Sequence, residues 1–146
     1  MNKGALTIAI ICIAFLLVLG VIGYAVYSSF QLEKKSENSE TKSSDINSVI
    51  VDAVPKVIST KENTIFYLVF NTHSVALEFD VAKVTTLKDN LGNTYTPIKW
   101  DGSPAEGHHR SGDLIFPPLK EGISSVKLII SEDAGISQRE FEWDIS

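Results

Sequence analysis

Cysteine is almost absent from this 146-residue chain: Cys12 stands alone, inside an apolar N-terminal run. An intramolecular disulfide is excluded, so whatever folds is held by packing. Methionine is equally scarce, with Met1 alone, which excludes the thioether-rich sites that favour Cu(I). Lysine and arginine form no basic stripe, and the formal net charge is −5, so nucleic acid is not an expected partner. Beyond the N-terminal run no segment has the 3.6-residue period of an amphipathic helix. Catalytic signatures are missing too. There is no GxSxG elbow around Ser74 or Ser111, no HExxH or CxxC pairing, and no phosphate-cradling glycine loop before a helix. The chain is therefore expected not to be an enzyme.

What is present divides the chain into three parts. From Ala5 to Tyr27 the sequence ALTIAIICIAFLLVLGVIGYAVY carries no charge over 23 positions. As a helix it would extend roughly 34 Å, enough to cross a bilayer's hydrocarbon core. Tyr24 and Tyr27 sit near one end, where amphipathic rings favour the headgroup region. Residues 1–27 thus read as a signal anchor, a transmembrane helix over about 5–27 with the lipid bilayer as its partner. The alternative is a cleaved signal peptide, for which Gly23-Tyr24-Ala25 is a passable site, but such apolar cores run only about 7–15 residues. Lys3 on one flank and Lys34 and Lys35 on the other leave the positive-inside rule undecided. A short N-terminal tail before one apolar helix is typical of exported domains, so the C-terminal part is placed outside the cytoplasm, on a single-pass anchor in the cell membrane. Residues 28–48, rich in Ser, Glu, Lys and Asn, bury too little apolar surface to offset ordering entropy and read as a flexible polar stalk.

Residues 49–146 change to short apolar runs separated by turn residues. Val49, Val51 and Val57 suggest a first strand pair around Pro55. The continuous run Ile65–Phe70 reads as a central strand buried on both faces. Leu77, Phe79 and Val81 alternate with polar neighbours as in a half-exposed strand. Val84–Leu87 enters a turn at Lys88–Asn93, and Thr94–Trp100 pairs back as a hairpin. Leu114–Phe116 ends at Pro117-Pro118. Val126, Leu128 and Ile130 share one face, as do Phe141, Trp143 and Ile145. Seven to eight strands in about a hundred residues predict an all-β fold, an immunoglobulin-like antiparallel β-sandwich.

All three histidines fall in loop-like stretches: His73 in NTHSV, His108 and His109 in WDGSPAEGHHRSGDLIF. Neutral imidazole is the commonest transition-metal ligand. Copper(II) and zinc both accept two or three imidazoles completed by carboxylate or water. A metal site of His73, His108, His109 and Glu106 therefore follows if the two stretches meet, with Asp101 and Asp113 as nearby oxygens. Adjacent residues in an extended strand point to opposite faces, so His108 and His109 share an ion only if Gly102, Gly107 and Gly112 bend the loop. The competing reading is structural. The histidines supply donors and acceptors to a long loop, and Arg110 ties that loop down through carbonyls or a carboxylate. The domain is then a non-enzymatic structural or interaction module with an envelope protein as partner.

NTHSVALEFD (71–80), DNLGNTYTPIKWDG (89–102) and GHHRSGDLIF (107–116) together resemble a family of uncharacterised prokaryotic exported or membrane-anchored domains. That family carries N/D-T-H-S-V, then W-D/G, then G-H-H-x-x-G-x-L-x-F in the same order. The resemblance covers roughly residues 64–118. Family members commonly have Gly-Gly before the paired histidines, where this chain has Glu106-Gly107. The resemblance implies the same segmentation and draws attention to His73, His108 and His109, without implying an activity.

Overall fold

The computed structural model describes residues 4, 17–24, 40–133 and 136–145. Residues 17–24 are helical. The rest of the expected membrane span and residues 28–39 of the expected stalk lie outside the described residues. Among the described residues no helix is long and apolar enough to cross a membrane. The chain divides into two units, Met1–Glu37 and Asn38–Ser146, and the second carries the strands.

Nine strands are described: β1 Lys42–Ile46, β2 Val49–Val57, β3 Thr64–Thr72, β4 Thr85–Asp89, β5 Thr94–Tyr95, β6 Lys99–Gly102, β7 His109–Phe116, β8 Ser125–Ile130 and β9 Arg139–Asp144. They form a five-stranded sheet, order β1-β2-β3-β7-β6, and a four-stranded sheet, order β5-β4-β8-β9. Every described pairing is antiparallel. Alternate residues point inward, as a period of two requires. The inward residues of both sheets make one buried cluster, so the sheets stack as a β-sandwich. Phe66 of β3 sets its ring 5.1 Å from Trp143 of β9 and 6.0 Å from Phe116 of β7. That contact joins the two layers, and each such buried side chain contributes roughly 1.5–3 kcal/mol.

Several segments depart from the expectations, each for a local reason. Part of the expected stalk is ordered, because Lys42–Ile46 forms β1 on the sheet edge, where a polar strand need bury only one side. Its hairpin with β2 turns on two residues, Asn47 (φ 52°) and Ser48 (φ 64°), the paired positive φ of a type I′ turn. In β3 only Phe66, Leu68 and Phe70 are buried among the apolar run, while Ile65, Tyr67 and Val69 are half-buried. Leu77, Phe79 and Val81 are buried but not in a strand. Asp80 instead caps a single helical turn, Val81–Val84, its carboxylate accepting from the Ala82 amide at 3.1 Å. The Asp89 hairpin is shorter than expected: Thr94 and Tyr95 pair with β4, and the chain then crosses to the other sheet as β6.

β6 and β7 themselves form a hairpin, with Gly102 opposite Gly112. A Cβ on Gly102 would lie 2.5 Å from the Ser111 carbonyl oxygen and 2.6 Å from the Trp100 ring. One on Gly112 would overlap the Gly102 Cα. The Trp100 ring therefore covers two facing glycines, and its indole N–H donates to the Ser103 carbonyl at 2.9 Å.

The β4–β5 turn depends on Asp89. Its Oδ1 accepts from the amides of Leu91 (3.0 Å) and Asn93 (2.8 Å), and its Oδ2 from the Asn93 amide group (2.8 Å) and the Tyr95 hydroxyl (2.7 Å). Burial alone would raise its pKa, but the donors from Asn93, Tyr95 and Leu91 outweigh burial and hold it below the ordinary value.

Two outcomes follow. Gly112→Ala is expected to lower stability by about 1–3 kcal/mol through overpacking, read in urea unfolding. For Asp89, the depressed folded pKa means its contribution is complete above the ordinary aspartate value of about 3.9 and is lost as pH falls from there through the folded value. Asp89→Ala is expected to flatten that acid limb in thermal melts recorded across pH, besides destabilising the protein near neutrality.

Candidate functional site

β3 and β7 are distant in sequence but adjacent in the sheet, and their register pairs Phe70 with Arg110 and Asn71 with His109. The first pair faces the core and the second faces outward. Alternation continues past the strand end, so Thr72 is buried and His73 is exposed on the same side as Asn71. His73 and His109 thus meet on the outer face. Their rings lie edge to face, centroids 5.4 Å apart at 74°. Across the strands the Asn71 amide oxygen accepts from His109 Nδ1 at 3.0 Å. In the neutral ring that fixes the proton on Nδ1 and leaves the Nε2 lone pair free.

His108 belongs to the other side. Its backbone carbonyl accepts from the Thr72 amide at 3.0 Å, and the Gly107 carbonyl from the Leu77 amide at 2.9 Å. These bonds extend the β3–β7 ladder into the loops. The His108 ring, although exposed, donates from Nδ1 to the Val75 carbonyl at 2.8 Å. Of the three glycines expected to bend this stretch, only Gly107 has positive φ (75°). Gly102 and Gly112 lie in strands, while Gly107 and His108 form a bend that ends where β7 begins at His109. Glu106 is exposed in the intervening loop. Among the described residues no group of three or more His, Cys, Asp or Glu side chains is placed to hold a metal ion. The geometry therefore gathers His73 and His109, and sets His108 and Glu106 apart from a common centre.

Beneath this surface Arg110 is 3% exposed. One terminal nitrogen donates to the carbonyls of Leu77 (3.0 Å) and Phe79 (2.7 Å), the other to Ser103 (3.4 Å). The guanidinium carbon lies 5.1 Å from the Phe79 ring centre and 6.0 Å from that of Trp100. Burial lowers the pKa of Arg110, and the Asp80 carboxylate opposes that shift; an arginine nonetheless stays charged. It supplies the donors that strand neighbours would otherwise give to residues 77–79, which explains why that buried segment needs no ladder.

Asn71 was not singled out in the sequence. Its signal is position: two residues before His73, it shares a strand face with it.

No family model matches the chain. No curated protein matches it. Among solved structures the chain is similar to a DUF4426 family protein from Pseudomonas aeruginosa, with 15% identity, 71% of this chain and 94% of that chain covered, and a TM-score of 0.47.

Replacing Arg110 with Met keeps its length but strips the donors from buried carbonyls. The expected cost is about 3 kcal/mol, since hydrogen bonds to charged groups each contribute roughly 1.5–3. Chemical denaturation measures it, and a variant as stable as wild type would show that the cage around Arg110 is dispensable.

Proposed function

We propose that this is a single-pass, membrane-anchored protein whose immunoglobulin-like β-sandwich stands outside the cytoplasm and binds a divalent transition metal, copper or zinc, through His73 and His109. The anchor rests on the 23-residue uncharged run, and the exported setting on the resemblance carried by the NTHSV and GHHRSG motifs. Strand order supports the immunoglobulin-like reading: β2-β3-β7-β6 and β5-β4-β8-β9 follow the A-B-E-D and C′-C-F-G orders of that fold, with β1 added at the edge.

The observation that carries the metal reading is the His73–His109 pair with its directing Asn71. A metal–nitrogen bond of about 2.0–2.1 Å plus roughly 1.1 Å to the ring centre sets two tetrahedral imidazole centroids about 5.2 Å apart. The observed 5.4 Å lies close to that. The bond from His109 Nδ1 to an oxygen acceptor is the arrangement that orients metal-ligating histidines. The His108 bond to Val75 favours a different role for that ring, holding the two loops together. If all three rings served only that purpose, the domain would be a structural or interaction module of the envelope, without metal.

Calorimetric titration of the full-length chain in detergent with Cu(II) and Zn(II) separates these readings. Binding is expected, with loss in His73→Ala and in His109→Ala and retention in His108→Ala. Asn71→Ala should weaken it by about 10–100-fold, the usual effect of removing a ligand's orienting partner. Wild-type affinity in both His73→Ala and His109→Ala would reject the site.

A further inference from the structure

Two imidazoles do not complete a zinc or copper site, which takes four ligands in closed form. No third candidate side chain joins them among the described residues. We infer that a second copy of this chain completes the site, the ion bridging His73 and His109 of one copy and the same two residues of the other. This inference rests on the metal reading above.

The pair stands on an outward sheet face, where another molecule can approach. A two-fold axis through the ion brings identical patches together, so two ligands become four without any new residue. The resulting set of four imidazoles suits the tetrahedral preference of zinc and is open to a flattened Cu(II) geometry. Spacing is compatible as well. An imidazole holds an ion roughly 6 Å from its own backbone, so the two faces would lie about 12 Å apart, near the ~10 Å at which sheets stack. The neighbouring surface offers an apolar contact. Ile50 lies in the same cross-strand row as Asn71 and His109, and it is 40% exposed. A net charge of −5 on each chain makes approach of two copies unfavourable without an intervening cation, which ties association to metal. Tethering in one membrane would raise the effective concentration of copies.

Full-length chain in detergent micelles is titrated with Cu(II) and with Zn(II), following stoichiometry, mass by analytical ultracentrifugation, and the Cu(II) electron paramagnetic resonance spectrum. The expected result is half an ion per chain, a doubling of protein mass that EDTA reverses, and hyperfine structure from four nitrogens. The His73→Ala/His109→Ala double variant should stay monomeric with metal present, and an unchanged melting temperature without metal would show that it folds. One ion per chain with two coordinating nitrogens and unchanged mass would overturn the bridge while leaving the two-histidine site standing. Failure of wild type to bind either ion would overturn both.

Discussion

Asn71 faces His109 and Phe70 faces Arg110 in the β3–β7 ladder, and the placement of His109 outside and Arg110 inside depends on that register. A shift by one residue would turn His109 into the core and Arg110 out to solvent. The register is well held. Phe66, Leu68 and Phe70 on β3 and Leu114 and Phe116 on β7 are all buried on the inner side, so a slip of β7 would expose Leu114 and Phe116 at once. At roughly 1.5–3 kcal/mol each, that is far more than the ladder's outward polar pairs could return. The core thus decides where the histidines stand, although none of them belongs to it.

The end of the same ladder explains why adjacent histidines do different things. Main-chain bonds from Thr72 to His108 and from Leu77 to Gly107 hold the Gly107-His108 bend against the end of β3, just before β7 starts at His109. His108 then meets the Val75 carbonyl, and His109 meets Asn71. Arg110 takes the next inward position and holds the carbonyls of Leu77 and Phe79. Three consecutive residues thereby tie a loop, bond a side chain across the ladder and seal the core edge. Among the described residues no carboxylate pairs directly with the buried cation, whose cost is offset by carbonyl dipoles, by the more distant Asp80 charge and by the Phe79 and Trp100 rings.

Patterns within a strand were legible in the sequence, while relations between strands were not. Alternation at Phe141 and Trp143, and at Val126 and Leu128, reads directly as an inward face because it depends on neighbours in sequence. The same logic failed at Leu77, Phe79 and Val81. Their period is that of a strand, but the Leu77 and Phe79 carbonyls are taken by the Arg110 side chain about thirty residues away and Val81 opens a helical turn, which no local pattern reveals. The Asn47-Ser48 turn lacks the Asn-Gly signal of its type, so nothing in the sequence separates the β1 hairpin from the polar stalk. Gly102 and Gly112 are expected from the sequence to bend a loop, with Trp100 at the end of the strand before it. They are a packed unit of facing glycines under one indole, visible only once β6 and β7 are paired. The meeting of His73 with His109 required the non-consecutive β3–β7 neighbourhood, and the different role of His108 required the approach of the Val75 carbonyl across the loops.

The contrast between the two sides of β3 bears on what kind of site the histidines make. Structural zinc sites are closed by four protein ligands and contribute to folding. Here the fold is complete without an ion: the core is continuous, and the loops are joined by their own hydrogen bonds. Asn71 is paired on both sides, to Ile50 and to His109, so the group that directs the His109 ring sits on rigid backbone. The two rings nevertheless face solvent. A ligand pair that is oriented from below and open from above costs little to desolvate and gains little from one chain alone. Under the proposed metal reading, its affinity would then be set by what arrives at the open side, which fits an ion shared between molecules better than one locked within the domain.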